Sequence, residues 1–551
     1  MIQGGLSLFV WQDGRRWGER RSETYLQSLG GHVAARPATT ALDFGGNLIS
    51  FGELDHRSTC LANGLAALGL GAGDRLVALL DNSEDFVLAM IATHRLRAIF
   101  VPVNTAYRGE FLRHQLADCE AAIAICEADY LEALLPLIEN LPLLRTIVVR
   151  GQGEASDIAT IPLETVKAGG AAAIAETVAP ADIACLIYTS GTTGPSKGCM
   201  ISHDYLCSIA RRRHRSVAPV AGEISWSCLP LYHIASLSTV LIANLLSGER
   251  ASIAARFSVS GFWEEIERAR ASSIVILASM VSLIARAPET EAMRRCHGQL
   301  RVVTGVPMSA EDRRLWQERF GVHYVNSFAY GQTEANLATL LPWGEPIPPL
   351  DSMGPPSEDF DAMVADDDDR PMPLGHAGEL LLRPRQPGVI FSGYWRRPEA
   401  TLQAMSGLWW HTGDFVRMDA DGFLYFVDRK KDYLRARGEN ISSFEVESTV
   451  MRHPEVAEVA FHAIGLDDEI KATVIRQAGS ALSEQELFHW AEEHLPYFAV
   501  PRFIEFRDAL PKTPTGRVQK SELRAEGKTA ATWDAHDAGL EIRRRRAKLS
   551  G

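Results

Sequence analysis

The sequence predicts an α/β fold: a large N-terminal domain of mainly parallel sheets covered by helices, a small β-rich subdomain, and a small α+β domain at the C-terminal end. Three observations point there. At 551 residues the chain exceeds what one simple hydrophobic core holds, so two or three domains are expected. Through the first half, short apolar runs alternate with segments of helical periodicity, the pattern of parallel strands joined by helices. From Gly354 the texture changes to short alternating strands punctuated by proline and glycine.

In order, Phe51–Leu68 carries apolar residues at helical spacing behind Ser50, a hydroxyl placed to cap the first turn. Gly69–Asp74 is a turn cluster; Arg75–Leu80 reads as a buried strand, Asp85–Leu96 as a helix and Ile99–Val103 as the next strand. Further strands are expected at Ala121–Cys126, Thr146–Val149, Ile183–Ile187 and Ile274–Leu277. Beyond Gly354, Glu379–Arg383 and Gly422–Val427 are short strands, and the four acids Asp366–Asp369 mark a solvated hairpin tip. Asp428–Arg437 is dense in charge and poor in apolar residues, which sets a domain boundary at Asp428–Asp432. After it, Ser443–Met451 reads as a helix, Val456–Ile464 as a strand and Ser483–His494 as a helix, a unit large enough to fold independently.

Bulk properties exclude several functions. A net charge of −13 argues against broad nucleic-acid binding; the one strong basic run, Arg543–Arg546, lies in a terminal stretch expected to be a flexible tail. The eight cysteines contain no Cys-x-x-Cys pair, so reduced thiols are expected rather than disulfides or a zinc site. Met1–Gly18 is not a signal peptide, and no apolar run is long enough to span a membrane. A cytoplasmic protein without membrane insertion is predicted.

The most informative segment is Tyr188-Thr-Ser-Gly-Thr-Thr-Gly-Pro-Ser-Lys-Gly198, placed between an apolar strand and a helix opening at Ser202. Its glycines let backbone N–H groups approach a ligand, its hydroxyls add donors and Lys197 adds a positive charge, which together make a phosphate cradle. The order Lys197-Gly198 departs from the Gly-Lys-Ser/Thr of a P-loop ATPase. A second segment, Tyr330-Gly-Gln-Thr-Glu334, offers a ring for stacking a base, a hydroxyl for a phosphate oxygen and a carboxylate for Mg2+. A third, Trp409-Trp-His-Thr-Gly-Asp414, ends in a carboxylate able to accept both hydroxyls of a ribose.

In order and spacing these segments resemble the adenylate-forming superfamily, which includes acyl-CoA synthetases, luciferases and the adenylation domains of peptide synthetases. The resemblance runs from about residue 24 to residue 524. It implies an N-terminal extension at 1–23, an adenylating domain at 24–430, a mobile C-terminal domain at 431–527 and a tail at 528–551. It implies that Thr189, Ser190, Gly191, Thr192, Thr193, Gly194 and Lys197 hold the ATP phosphates. Gly305, Val306 and Pro307 would flank the adenine together with Tyr330 and Gly331. Thr333 would bind phosphate, Glu334 the metal, and Asp414 and Arg429 the ribose. Val306 stands where the family usually has a smaller residue. His233, in Leu229-Pro-Leu-Tyr-His233, falls at an aromatic gate between acyl pocket and thiol tunnel, and Lys431 at the hinge of the small domain.

Gly438-Glu-Asn-Ile-Ser442 resembles the turn that acyl-CoA synthetases pack against pantetheine, so Gly438 and Glu439 are expected at CoA; Arg437 replaces the usual preceding glycine. Leu510–Lys520 resembles the C-terminal catalytic loop, except that Arg517 occupies the position of the usual lysine. Either Arg517 or Lys520 would then bridge the attacking carboxylate and the α-phosphate. An acyl pocket is expected around Ile276, Asn326, Ser327 and Ala329, lined by small or apolar groups that suit an aliphatic, alicyclic or aromatic acid.

The resemblance therefore implies an ATP-dependent carboxylic acid–CoA ligase that forms an acyl-adenylate, then a thioester, with Mg2+ and coenzyme A. The overall texture is most similar to the carnitine/crotonobetaine branch. The alternatives are an enzyme loading an acyl carrier protein, or a weakened nucleotide-binding homologue suggested by Arg517. A small carboxylic acid is the expected partner, with a homodimer also open.

Overall fold

The computed structural model describes residues 23–153, 158–172, 174, 177–189, 196–430, 434–436, 439–441, 443–464, 469–495, 499–512, 516 and 518–542. Internal contacts divide the chain into two compact units. The first holds residues up to Thr189, Pro195–Asp361 and Pro384–Gln403; the second holds Ser190–Gly194, Ala362–Arg383 and everything from Ala404. The boundary expected at 430/431 falls inside the second unit.

The first unit is built on two seven-stranded sheets. One runs, in spatial order, Ala159–Pro162, Thr146–Arg150, Ile123–Glu127, Arg75–Leu79, Ile99–Pro102, Ile183–Thr189 and Lys197–Ser202. All its neighbours are parallel except the last pair. Lys197 therefore begins a strand, where the sequence pattern placed only a loop before a helix. Its second sheet runs Tyr324–Asn326, Val302–Val306, Ser273–Leu277, Ile224–Ser227, Arg250–Ile253, Thr40–Phe44 and Asn47–Ser50. Only the terminal Thr40–Phe44 and Asn47–Ser50 pair is antiparallel there. Strands buried on both faces need continuous apolar runs and helical covers, which is why the first half of the chain alternates as it does.

Helices begin where hydroxyls can cap them. Ser50 and Glu53 form a reciprocal capping box on Phe51–Ala67. Ser202 caps His203–Val217 by accepting from the Tyr205 N–H at 3.1 Å. Trp316, Phe262, Phe320 and Ile276 pack in the core on one face of the second sheet.

A polar cluster is sealed behind the strand Ile183–Thr189. His94 Nε2 lies 2.9 Å from the Ala184 carbonyl and donates to it, so its Nδ1 accepts from the Tyr25 hydroxyl at 2.6 Å. The His203 ring lies 4.7 Å from that of His94, is 1 % exposed, and neither of its nitrogens has a partner among the described residues. Burial pushes the imidazole of His203 down to about 3; burial and Arg213 push that of His214 down to about 4. An unfolded histidine titrates near 6.5. Above that pH these groups are neutral in both states. As pH falls below it, the unfolded chain takes up protons that the folded chain refuses, and stability declines by about 1.4 kcal/mol per pH unit per histidine. The melting temperature is expected to fall steadily between pH 6.5 and 5, above the carboxylate range, and less steeply in His203→Phe. A flat profile over that window would contradict the neutral-histidine assignment.

Among the described residues the second unit contains three sheets. Phe360–Ala365, Gly378–Pro384, Trp410–Met418 and Leu424–Arg429 form one; Leu434–Ala436 and Glu439–Ile441 form a small pair. Val456–Ile464, Glu469–Arg476, Phe503–Phe506 and Trp533–Asp534 form the third. Asp366–Asp369 sits at a hairpin tip closed by an Ala365–Pro371 bridge, as expected. The flexible tail expected from residue 528 is corrected over 528–542. Asp534 pairs with Phe503, takes the Arg502 guanidinium on both oxygens at 3.0 and 3.1 Å, and Ala535 is fully buried. A two-residue strand carries no periodicity, so the sequence did not announce it.

Candidate active site

The hairpin carrying Lys197 sets the centre of the site. Thr189 lies opposite Lys197, and Tyr188 opposite Gly198. The Tyr188 hydroxyl donates to Asp118 at 2.8 Å, so this tyrosine braces the strand. A Cβ on Gly198 would lie 3.2 Å from that ring. The free edge of Lys197–Ser202 is taken up by residues 392–395: Met200 donates to the Gly393 carbonyl, Ser392 to that of Met200 and Trp395 to that of Gly198.

This added edge delivers Tyr394, which the sequence analysis missed. Its hydroxyl donates to Glu334 Oε1 at 2.8 Å, and the Lys197 ammonium stands 4.3 Å from its ring centroid. Glu334 is 8 % exposed, and its carbonyl accepts from the Phe391 N–H at 2.9 Å. Cys199 is buried beside them, with its Sγ 4.0 Å from the Thr189 hydroxyl. Burial and the Glu334 charge hold its thiol well above the usual range. Lys197, Thr189 and Glu334 are thus brought together as expected.

The turn bearing Tyr330 and Thr333 is a short hairpin, Ala329–Tyr330 against Thr339–Leu340. A Cβ on Gly331 would come within 2.5 Å of the Leu337 nitrogen, so only glycine lets the turn close. Tyr205 pins it, donating to the Thr333 carbonyl at 3.1 Å and accepting from the Asn336 N–H at 2.6 Å.

Strand ends of the second sheet supply the next group. Register places Gly305 opposite Ile276, Val306 opposite Leu277, and Asn326 opposite Thr304. Pro307 follows directly. A Cβ on Gly305 would sit 2.5 Å from Val281 Cγ2. Ile276 faces the core at 3 % exposure, whereas Leu277 is 49 % exposed and is the apolar residue offered at the strand end. Ser327 is buried and accepts from the Arg313 guanidinium, and Ala329 is half-buried. Asn326 is 2 % exposed, with no partner for Oδ1 among the described residues. His233 is exposed, next to the Tyr232 ring at 4.7 Å. Asn82, also missed in the sequence, shapes that loop: its amide donates to the Leu229 and Ala254 carbonyls, and its carbonyl accepts from Leu231.

In the second unit, Asp414 and Arg429 are direct cross-strand partners, and Asp414 is fully buried. Glu379 accepts from the Gly413 N–H at 2.9 Å and from Lys430 at 3.0 Å, which ties the end of this sheet together. Lys520 lies 2.7 Å from Glu447 Oε1 and donates to the Ser443 hydroxyl, which donates in turn to Asp428 at 2.7 Å. Burial pushes the Glu447 carboxyl up to about 7 against the opposing pull of Lys520. Ser190, Gly191, Thr192, Thr193, Gly194, Lys431, Gly438 and Arg517 lie outside the described residues, and of Arg429 and Glu439 only the backbone is described.

Among the described residues no group of three or more His, Cys, Asp or Glu side chains forms a metal cage. A single hard carboxylate such as Glu334 suits Mg2+, which enters such sites on phosphates and keeps most of its shell from them and from water. No helix among the described residues is long and apolar enough to cross a membrane.

Residues 31–395 match the AMP-binding enzyme family, and residues 445–517 match the C-terminal domain of AMP-binding enzymes. The chain is 31 % identical over 494 residues to a feruloyl-CoA synthase of an Amycolatopsis species, covering 89 % of this chain and 96 % of that protein. It is 28 % identical over 484 residues to the crotonobetaine/carnitine–CoA ligase of Salmonella typhi, covering 86 % and 93 %. An anthranilate CoA ligase solved with anthranoyl-AMP superposes with a TM-score of 0.81 at 25 % identity, covering 92 % of this chain and 97 % of that one. The chain belongs to the AMP-binding enzyme family, in its acyl-CoA ligase branch.

Proposed function

We propose that this protein is an ATP-dependent carboxylic acid–CoA ligase of the AMP-forming type. The observation that carries the reading is the meeting of Lys197 and Glu334, from distant segments, on the two functions of one buried phenol. That arrangement presents a fixed cation and a fixed carboxylate beside a loop suited to a triphosphate.

A carboxylate is a poor acyl donor because its leaving group would be an oxide ion. In the first half-reaction a carboxylate oxygen bonds to the α-phosphorus of ATP, the bond from that phosphorus to the β-bridging oxygen breaks, and pyrophosphate leaves. The barrier is largely repulsion between carboxylate and triphosphate. Lys197 and the Thr189 hydroxyl offset that repulsion as groups already fixed in place, and the hydroxyls of Ser190, Thr192 and Thr193 would add donors. Glu334 would hold Mg2+, which when bound neutralises phosphate charge. Tyr330 would stack on the adenine, Thr333 would bind phosphate, and Asp414 with Arg429 would hold the ribose. In the second half-reaction the CoA sulfur bonds to the acyl carbon, the bond to the AMP oxygen breaks, and the thiol proton passes to solvent. His233 would gate the thiol path, with Gly438 and Glu439 against pantetheine.

At the strand ends Leu277, Val306, Asn326 and Ala329 are small, apolar or neutral, which favours an aliphatic, alicyclic or aromatic acid over a highly charged one. The eight unpaired thiols, seven of them buried, suit a cytoplasmic setting. Pyrophosphate release with Mg-ATP across a panel of carboxylic acids, with and without CoA, tests the reading. Acid-dependent release that turns over only with CoA is expected. Release indifferent to CoA would move the assignment to another acceptor, such as a carrier protein.

A further inference from the structure

We propose that Tyr394 is a positioning residue of the adenylation site, holding Glu334 to one-oxygen metal ligation through its hydroxyl and seating Lys197 on its ring. The proposal rests on the roles assigned above to Lys197 and Glu334.

Tyr394 is itself firmly held. It is 6 % exposed, its N–H donates to the Thr401 hydroxyl at 2.9 Å, and its ring meets Phe391 edge-on at 5.0 Å. Backbone bonds from Met200 and Trp395 fix the residues on either side to the strand that begins at Lys197. The phenol and the ammonium therefore ride on paired strands and keep their spacing as one unit. Were Tyr394 only a core residue, its polar atom would need no more than any nearby acceptor. Instead the hydroxyl meets the carboxylate assigned to the metal, and the ring face meets the lysine assigned to phosphate.

The two contacts act differently. A hydroxyl donated to Oε1 occupies one oxygen of Glu334, and a carboxylate so held favours ligation through a single oxygen, the mode an octahedral magnesium shell accepts. The ring face attracts the ammonium and limits its swing, which keeps Lys197 extended towards phosphate rather than collapsed onto Glu334.

These roles separate in binding, without any acid substrate. ATP affinity of the full-length protein would be measured by calorimetry over a series of MgCl2 concentrations, for wild type, Tyr394→Phe, Tyr394→Leu and Glu334→Ala, with thermal unfolding of each. Tyr394→Phe should keep the magnesium-free affinity but need at least about 10-fold more MgCl2 for half-maximal tightening, the loss of one charge-assisted hydrogen bond. Tyr394→Leu should in addition lose about 5-fold in magnesium-free affinity, through Lys197. If Glu334→Ala still tightens with magnesium as wild type does, the metal role of Glu334 fails, and this proposal with it. If Glu334→Ala loses that response while Tyr394→Phe matches wild type, only the Tyr394 proposal is overturned. Equal weakening with and without magnesium in Tyr394→Phe, together with a lower melting temperature, would reduce Tyr394 to packing and also overturn it.

Discussion

Arg517→Ala is expected to lower the rate of acyl-adenylate formation by about 10²–10³-fold, the usual cost of removing one preorganised charge-stabilising group. Thioester formation from a supplied acyl-adenylate should be nearly unchanged. Two cations compete for this role in the sequence, and the contacts of Lys520 favour Arg517. Its side chain is 10 % exposed and engaged, 2.7 Å from Glu447 and bonded to Ser443. A lysine committed to a partly desolvated carboxylate would have to leave it uncompensated in order to reach a phosphate. Lys520→Ala is therefore expected to behave as a structural substitution, lowering the melting temperature modestly because Glu447 loses its partner and takes up a proton. Arg517→Lys should keep most of the activity, since it restores the point charge usual at this position in the family. Quenched-flow measurement of adenylate, with a melting curve for each variant, decides the matter. Full adenylation in Arg517→Ala with loss in a well-folded Lys520→Ala would reverse the assignment.

Much of the architecture was legible because the physics that reveals it is local. The strands of the first unit are buried on both faces, so they must be continuous apolar runs, and Arg75–Leu79, Ile99–Pro102 and Ile183–Thr189 lie within a residue or two of where the pattern put them. The helix at Phe51–Ala67 is announced by Ser50, since an N-terminal hydroxyl satisfies N–H groups that have no partner in the helix. Charged and glycine-rich segments were legible for a related reason. Lys197, Tyr330 and Glu334 stand in segments whose composition serves neither a core nor an ordinary turn.

What escaped the sequence depends on register and long-range pairing. A strand buried on both faces gives no alternation, so nothing distinguished Ile276, which faces the core, from Leu277, which is exposed at the strand end. The strand Lys197–Ser202 opens with lysine and glycine, both weak strand formers, and holds only because the Ile183–Thr189 strand and residues 392–395 flank it on either edge. Tyr394 looks in sequence like any aromatic beside a glycine. Its meaning arises only once Gly393 and Trp395 pair with that strand and bring it to Glu334. Asn82 is similar: one side chain satisfying three backbone groups of two distant segments, at Leu229 and Leu231 and at Ala254, leaves no local signature.

Lys431→Pro is expected to leave adenylate formation within about 3-fold of wild type while slowing thioester formation by about 10²-fold or more, equivalent to about 2.7 kcal/mol on that barrier. The two half-reactions need different groups at one centre, a bridging cation first and a thiol path afterwards. A chain with a single such centre must reorient the segment that supplies them. Proline fixes φ near −65° and removes a backbone N–H, so at a hinge it obstructs the rotation without touching either reactant. The surroundings of residue 431 show what a rotation there would have to break. Asp428, just before it, is 4 % exposed and accepts from the Ser443 hydroxyl beyond it at 2.7 Å, and Ser443 also receives the Lys520 ammonium. Those bonds straddle the proposed hinge, so turning about Lys431 separates Asp428 from Ser443 and exchanges a buried charged hydrogen bond, a term of about 1.5–3 kcal/mol, for new contacts. A barrier of that origin belongs to the step between the half-reactions and to neither of them. Pyrophosphate burst and CoA consumption, followed in one quenched time course, should therefore diverge in Lys431→Pro, with a normal burst and a slow second phase. Equal loss in both phases would mean that the substitution damages the site itself, and that residue 431 is not where the chain turns.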